Sequence, residues 1–156
     1  MEPITKAVET STLTEEYLPL LETAETLPLL ISGGSMAPFL VHGRDTVFLA
    51  RVSRPLKRGD IVLYRRKNGA CILHRICTLE GDTFSLVGDA QTGIERGIEQ
   101  DQILAVAVRA LRKGKAQAPG RFWWDFFAKV WIRVIPARPA LLRLYSFLTK
   151  AFRRTK

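Results

Sequence analysis

Two features of this chain carry side chains that could do covalent chemistry. One is Ser35 in the stretch ISGGSMAPFL, and the other is His74 in CILHRIC. Gly33 and Gly34 let the backbone ahead of the serine take unusual dihedrals and approach another chain closely. Pro38 restrains the chain as it leaves. A turn of that kind can hold a hydroxyl exposed, but a serine is a weak nucleophile until a base is in reach. The chain has two histidines. His42, in VHGRD between two apolar runs, reads as an exposed turn residue. His74 lies mid-strand, sharing a face with Ile72 and Ile76 while Cys71, Leu73, Arg75 and Cys77 point the other way. A histidine there needs a partner for its ring nitrogens. The Cys-x-x-His-x-x-Cys spacing resembles a metal site, but strand alternation sends the ring away from both sulfurs, so no metal is expected. Cys71 and Cys77 fall on one face roughly 20 Å apart, too far for a disulfide. They read as small buried hydrophobes.

The elements that must position these residues can be read from pattern. Residues 13–25 predict a short acidic helix. From Thr46 to about Leu111, the runs TVFLARV, DIVLYRR, ACILHRICTL, TFSLVGD and ILAVAVRALRK predict strands separated by compact turns. Asp60, in the RGD before DIVLYRR, reads as a turn residue that starts a strand. Short strands with regular turns predict a mainly β domain, antiparallel and barrel-like or sandwich-like, with flanking helices. KGKAQAPG at 113–120 reads as a linker. Two helices are predicted beyond it, at about 121–135 and 140–153, divided by PARP. The expected organisation is therefore an N-terminal helical segment (1–30), a β domain (31–115) and a basic amphipathic tail (116–156).

Charge follows the same division. The 156 residues carry a net charge of +9, distributed as −5 over 1–30, +3 over 31–111 and +11 over 112–156. Such asymmetry points to an anionic surface as partner. The tail interleaves Trp123, Trp124, Phe127 and Trp131 with basic residues including Arg143 and Lys150. That mixture suits an interfacial helix on a membrane surface better than a polar groove tracking phosphates, so no nucleic acid is expected, and a helical hairpin packed on the β domain is the equal alternative, compatible with the first. Neither a secretory signal nor a membrane span is legible. The expectation is a cytoplasmic protein that attaches peripherally to anionic membranes.

In order and with compatible spacing, SGGSMAPFL, GRDTVFL, LKRGDIVLYR, LHRI, LVGDAQ and QILAVAV resemble the signal peptidase superfamily of serine peptidases. That superfamily also contains the self-cleaving domains of SOS-type repressors. The resemblance covers about residues 30–115. It implies a small coiled β peptidase fold, no cofactor, and a peptide or precursor protein as substrate. It makes Ser35 the nucleophile and His74 the general base, as in the endoplasmic-reticulum-type branch where histidine replaces lysine. It also implies an aspartate orienting the histidine, for which Asp89 of VGD ranks above Asp101 of EQDQ. Many members have serine at the position of Gly33, so oxyanion stabilisation is expected from the turn of Ser32, Gly33 and Gly34 and from the Ser35 amide. Met36 and Pro38 are expected to contact substrate. Cleavage is expected to fall at acidic pH, with an apparent pKa around 6–7. The alternative is a catalytically weak or inactive member that binds peptides or a membrane surface.

Overall fold

The computed structural model describes residues 13–154, so the first twelve residues of the expected N-terminal segment and the last two of the tail lie outside the described residues. The described residues form eight strands: β1 (Leu27–Leu30), β2 (Thr46–Ala50), β3 (Ile61–Arg65), β4 (Cys71–Glu80), β5 (Thr83–Val87), β6 (Glu95–Glu99), β7 (Ile103–Arg112) and β8 (Lys115–Gln117). They form one antiparallel sheet in the order β1-β2-β7-β3-β4-β5-β6, with β8 paired to β7. The expected class, mainly β with flanking helices, is the one observed. The pairing path is open, with β1 and β6 at its ends.

Three of these strands differ from the sequence expectation. β1 contains Pro28, which lacks the N–H that an inner strand would need, and it sits at an edge where only β2 pairs with it. β6 is ERGIE, with only Ile98 buried, so its burial pattern carries almost no apolar signal. Charge on an outer strand is the common protection of an edge. β8 follows a turn at Lys113 and Gly114, both at positive φ, inside the segment read as a linker. The sheet therefore begins at Leu27 and ends at Gln117, wider at both ends than the expected 31–115.

The two faces of the sheet carry separate cores. Leu27, Val47, Leu49, Ile61, Leu63 and Ala105 pack with Met36, Phe39 and Leu40 on one face. Val62, Tyr64, Ile76, Leu86 and Val106 form the other. At the N-terminus, Leu13–Tyr17 makes a wide helical turn and Leu18–Glu22 a 3-10 turn, with Leu13, Tyr17 and Leu21 buried against the first core. The Tyr17 hydroxyl donates to the Pro28 carbonyl.

The C-terminal segment departs most from expectation. Its first helix, α1 (Phe122–Asp125), continues as a wide turn over Phe126–Val130 and a 3-10 turn over Trp131–Arg133. A further 3-10 turn, Ile135–Ala137, leads into α2 (Arg138–Arg154). Trp124, Phe127 and Trp131, expected at a membrane surface, are buried in the first core instead. Trp124 meets Phe39 edge-on at 5.9 Å between ring centroids, and Phe127 lies 4.9 Å from it. Rings of this size remove so much apolar area from water that burial outweighs any surface role. Trp123, Arg143 and Lys150 do remain exposed. Among the described residues, no helix is long and apolar enough to cross a membrane.

Cys71 and Cys77 are free thiols. The register of β4 shifts between Ile76 and Thr78, and Cys77 packs with Val87 and Ile132 while Cys71 lies against the main core.

Candidate active site

Ser35 is presented by a turn tied down on both sides. The Ile31 amide donates to the Asp45 carbonyl at 2.9 Å, and the Gly43 amide donates back to the Ile31 carbonyl at 2.9 Å. Gly33 has φ +80, a conformation that favours glycine, and its amide donates to His42 Nδ1 at 3.0 Å. His42 thus has a specific role, pinning the glycine turn, that its exposed position gives no hint of. Beyond the serine, Met36, Phe39 and Leu40 are buried and anchor the chain. Ser35 itself is half-buried. Among the described residues its hydroxyl and its amide make no hydrogen bond, whereas the Gly33 amide is already occupied. The free Ser35 N–H is the donor available to a developing oxyanion; Ser32 and Gly34 lie exposed beside it.

The main chain of Ser35 is held by the turn after β5. Its carbonyl accepts from the Ala90 amide at 2.9 Å. Gly88 must be glycine there, because a Cβ would fall 2.5 Å from the Ser35 carbonyl oxygen. Three side chains clamp this turn. Arg75 forks onto Asp89, Nε to Oδ1 at 2.9 Å and Nη2 to Oδ2 at 2.8 Å, with both side chains wholly buried. Trp131 Nε1 donates to the Asp89 carbonyl at 2.8 Å. Arg138 Nη1 donates to the carbonyls of Gly88 (2.8 Å) and Gln91 (2.9 Å). The C-terminal segment is therefore part of the scaffold of the serine turn, a role composition did not reveal.

His74 is 2% exposed and sits on the second core, opposite Val62 and against Tyr64. Its Nδ1 lies 3.3 Å from the Tyr64 hydroxyl and 3.9 Å from Glu95 Oε1. Glu95 is in turn forked by Arg66, whose Nε reaches Oε2 at 3.0 Å. Burial pushes the His74 pKa down to about 4, with Glu95 opposing and Arg66 reinforcing the shift. The imidazole is accordingly neutral at pH 7, and its titration moves well below the range of 6–7 expected from sequence.

The aspartates lie elsewhere than the sequence expectation put them. Both oxygens of Asp89 are engaged by Arg75, so its carboxylate orients the arginine rather than the histidine. Asp101 is exposed in the short helical turn Gln100–Gln102. The carboxylate beside the imidazole is Glu95, on the charged edge strand that the sequence pattern concealed. Asp60 does cap its turn, accepting from the Lys57 amide at 2.9 Å and from the Arg54 guanidinium.

A groove of about 220 Å³ opens at Ser35, lined by Leu29, Leu30 and Ser32 on one side and by Cys71, Ile72 and Leu73 on the other. β1 has no second neighbour, and β5 pairs β4 only from Arg75 onward, so two unpaired strand edges border the groove. Met36 lines it, whereas Pro38 borders a different cavity beside Trp123. His74 is the residue after Leu73, and the turn bonded to Ser35 follows directly on the Arg75–Val87 pair. Ser35 and His74 thus both lie near the first half of β4 but on opposite faces of the sheet, without a hydrogen bond between them among the described residues. No cluster of three metal-ligating side chains occurs among the described residues. No family model, no curated protein and no solved structure matches the chain.

Proposed function

We propose that this protein is a serine endopeptidase resembling the signal peptidases, with Ser35 as nucleophile and His74 as general base. The observation that carries the reading is the groove at Ser35 between two unpaired strand edges, with a buried neutral imidazole one residue beyond its wall. An extended peptide would add its backbone to those edges, with side chains entering the apolar walls. Ser35 Oγ attacks the scissile carbonyl and passes its proton to His74, while the Ser35 N–H takes the oxyanion charge. His74 returns the proton to the leaving amine, and water then releases the acyl group. The mechanism takes the tautomer in which Nδ1–H faces the Tyr64 hydroxyl, so that Nε2 keeps the lone pair that catalysis needs. His74 faces the second core while the Ser35 turn is held from the Arg75 face, so this reading requires the imidazole to swing from Tyr64 towards the groove when substrate binds. The same reading takes the open eight-stranded sheet with a core on each face as the coiled, barrel-like peptidase fold.

Cleavage of a mixed peptide pool, followed by mass spectrometry, tests this reading. Ser35→Ala and His74→Gln should each abolish it, and a fluorophosphonate probe should label Ser35 in the parent protein only. Cleavage that persists in both variants sinks the proposal. The second reading, a peptide-binding module without catalysis, is favoured by one observation: Nδ1 of His74 is bound to Tyr64 while Ser35 Oγ has no base in contact. It requires peptide binding without probe labelling.

A further inference from the structure

The second half of α2 lies on the surface of the fold. Arg138 and the half-buried Leu142 fix the start of the helix, and every described residue from Arg143 to Phe152 is exposed. The exposed residues sort by chemistry around the axis. Leu141, Leu144, Tyr145 and Leu148 follow i, i+3, i+4, i+7 spacing, and Phe147 borders them. Arg143, Ser146 and Lys150 occupy the opposite arc. Phe147 is 69% exposed and Tyr145 60%, an unusual concentration of uncovered apolar surface on one element. At its base the row runs into a cavity of about 550 Å³, walled by Trp123 and Phe126 and rimmed by Arg112, Lys113 and Lys115.

Charge decides the occupant. No acidic residue follows Asp125, while residues 112–156 hold twelve basic ones. A second copy placed on this face would bring two such cationic segments together, which is repulsive. An anionic lipid surface takes the apolar row among its acyl chains, while the cationic charge of residues 112–156, with Arg112, Lys113 and Lys115 at the cavity rim beside that row, is drawn to its phosphates. We infer that α2 is an in-plane helix that docks this protein on acidic phospholipid, through Leu144, Tyr145, Phe147 and Leu148 rather than through the buried tryptophans. Its seventeen residues lie along the surface and do not cross it. This inference stands apart from the peptidase reading, because α2's outer face takes no part in the groove.

The test is co-sedimentation of the full chain with vesicles of phosphatidylcholine containing about one-third phosphatidylglycerol, against phosphatidylcholine alone. Binding is expected on the acidic vesicles, weakening as salt rises. The double variant Leu144→Glu/Phe147→Glu should lose it by about tenfold or more. Both positions are exposed, and an unchanged thermal unfolding midpoint would show that the fold survives. Arg143→Glu/Lys150→Glu, which leaves the apolar row intact, should weaken binding and flatten its salt dependence. Ser35→Ala should bind as the parent does, separating this result from that of the cleavage assay. Equal binding to both vesicle types, full binding by the Leu144/Phe147 variant, or a dimer that this variant dissolves in a protein that ignores vesicles would each overturn the inference.

Discussion

His74 and Arg75 are neighbours on β4 and point to opposite faces of the sheet, where two different electrostatic solutions meet them. Arg75 finds a closed arrangement: a two-point fork to Asp89, a third bond at 2.8 Å to the Gly59 carbonyl, and the Phe39 ring 5.4 Å away. Every element is buried, and little is left free to react. His74 finds a looser one: the buried Tyr64 hydroxyl at the edge of bonding distance, a carboxylate at 3.9 Å, and a guanidinium beyond it, the last two partly exposed. The first arrangement fixes backbone, since Asp89 belongs to the turn that holds Ser35. The second leaves a neutral base. One strand thus turns a structural ion pair and a neutral imidazole to opposite faces by the alternation of its side chains.

Breaking the closed side should cost the most. Asp89→Ala leaves a fully buried guanidinium with only the Gly59 carbonyl, and removing one partner of such a pair costs about 3–5 kcal/mol. Urea unfolding measures this. A loss below about 1 kcal/mol would mean that the fork is not what holds the turn.

The looser side should show itself through pH. The folded state holds His74 neutral down to about 4, whereas the unfolded chain takes up the proton near the ordinary value of 6.5. Between those values the unfolded state binds more protons, so stability falls as pH drops from 6.5 towards 4. The contribution of this one residue is on the order of 3 kcal/mol over that window. Denaturation midpoints across the window, for parent and His74→Gln, isolate it; identical pH slopes would contradict the buried neutral histidine. On the proposed mechanism, cleavage persists below pH 6 for as long as the protein stays folded, and then falls near pH 4.

The smallest effect should come from Glu95→Gln. Its ion pair with Arg66 is partly solvated, so the stability change should stay within about 1 kcal/mol. Glu95 raises the His74 pKa while Arg66 lowers it, so the variant should titrate below the parent. Ring resonances followed by NMR report this directly, and an upward shift would remove Glu95 from the site.

How much of this was legible depended on where the signal lay. Runs such as DIVLYRR and TFSLVGD announce strands because short continuous apolar runs bounded by turn residues suit strands buried on both faces, and β3 and β5 appear where they were expected. LPLL, ERGIE and KAQ do not announce them, because a proline, a charged edge and a three-residue hairpin arm depart from that pattern. Ser35 stood out through its glycines, and His74 through its apolar strand. Asp89 stood out too, but attached to the wrong partner. Its glycine marked a close approach, and nothing local says that Arg75 rather than His74 faces the carboxylate. Glu95 lies twenty-one residues after His74, and no spacing rule connects them.

The sequence alone determined the strand-rich core, a serine turn that needs glycine, an imidazole that must be buried, and a cationic amphipathic end. These follow from local dihedral preference, side-chain alternation and summed charge, which act within a few residues. Only the tertiary structure decided which carboxylate meets which base, and that Trp124, Phe127 and Trp131 belong to the core while Leu144 and Phe147 face outward. Those outcomes turn on registers between distant strands and on competition for one apolar surface, where neighbouring residues of the same type are sorted by what packs against them.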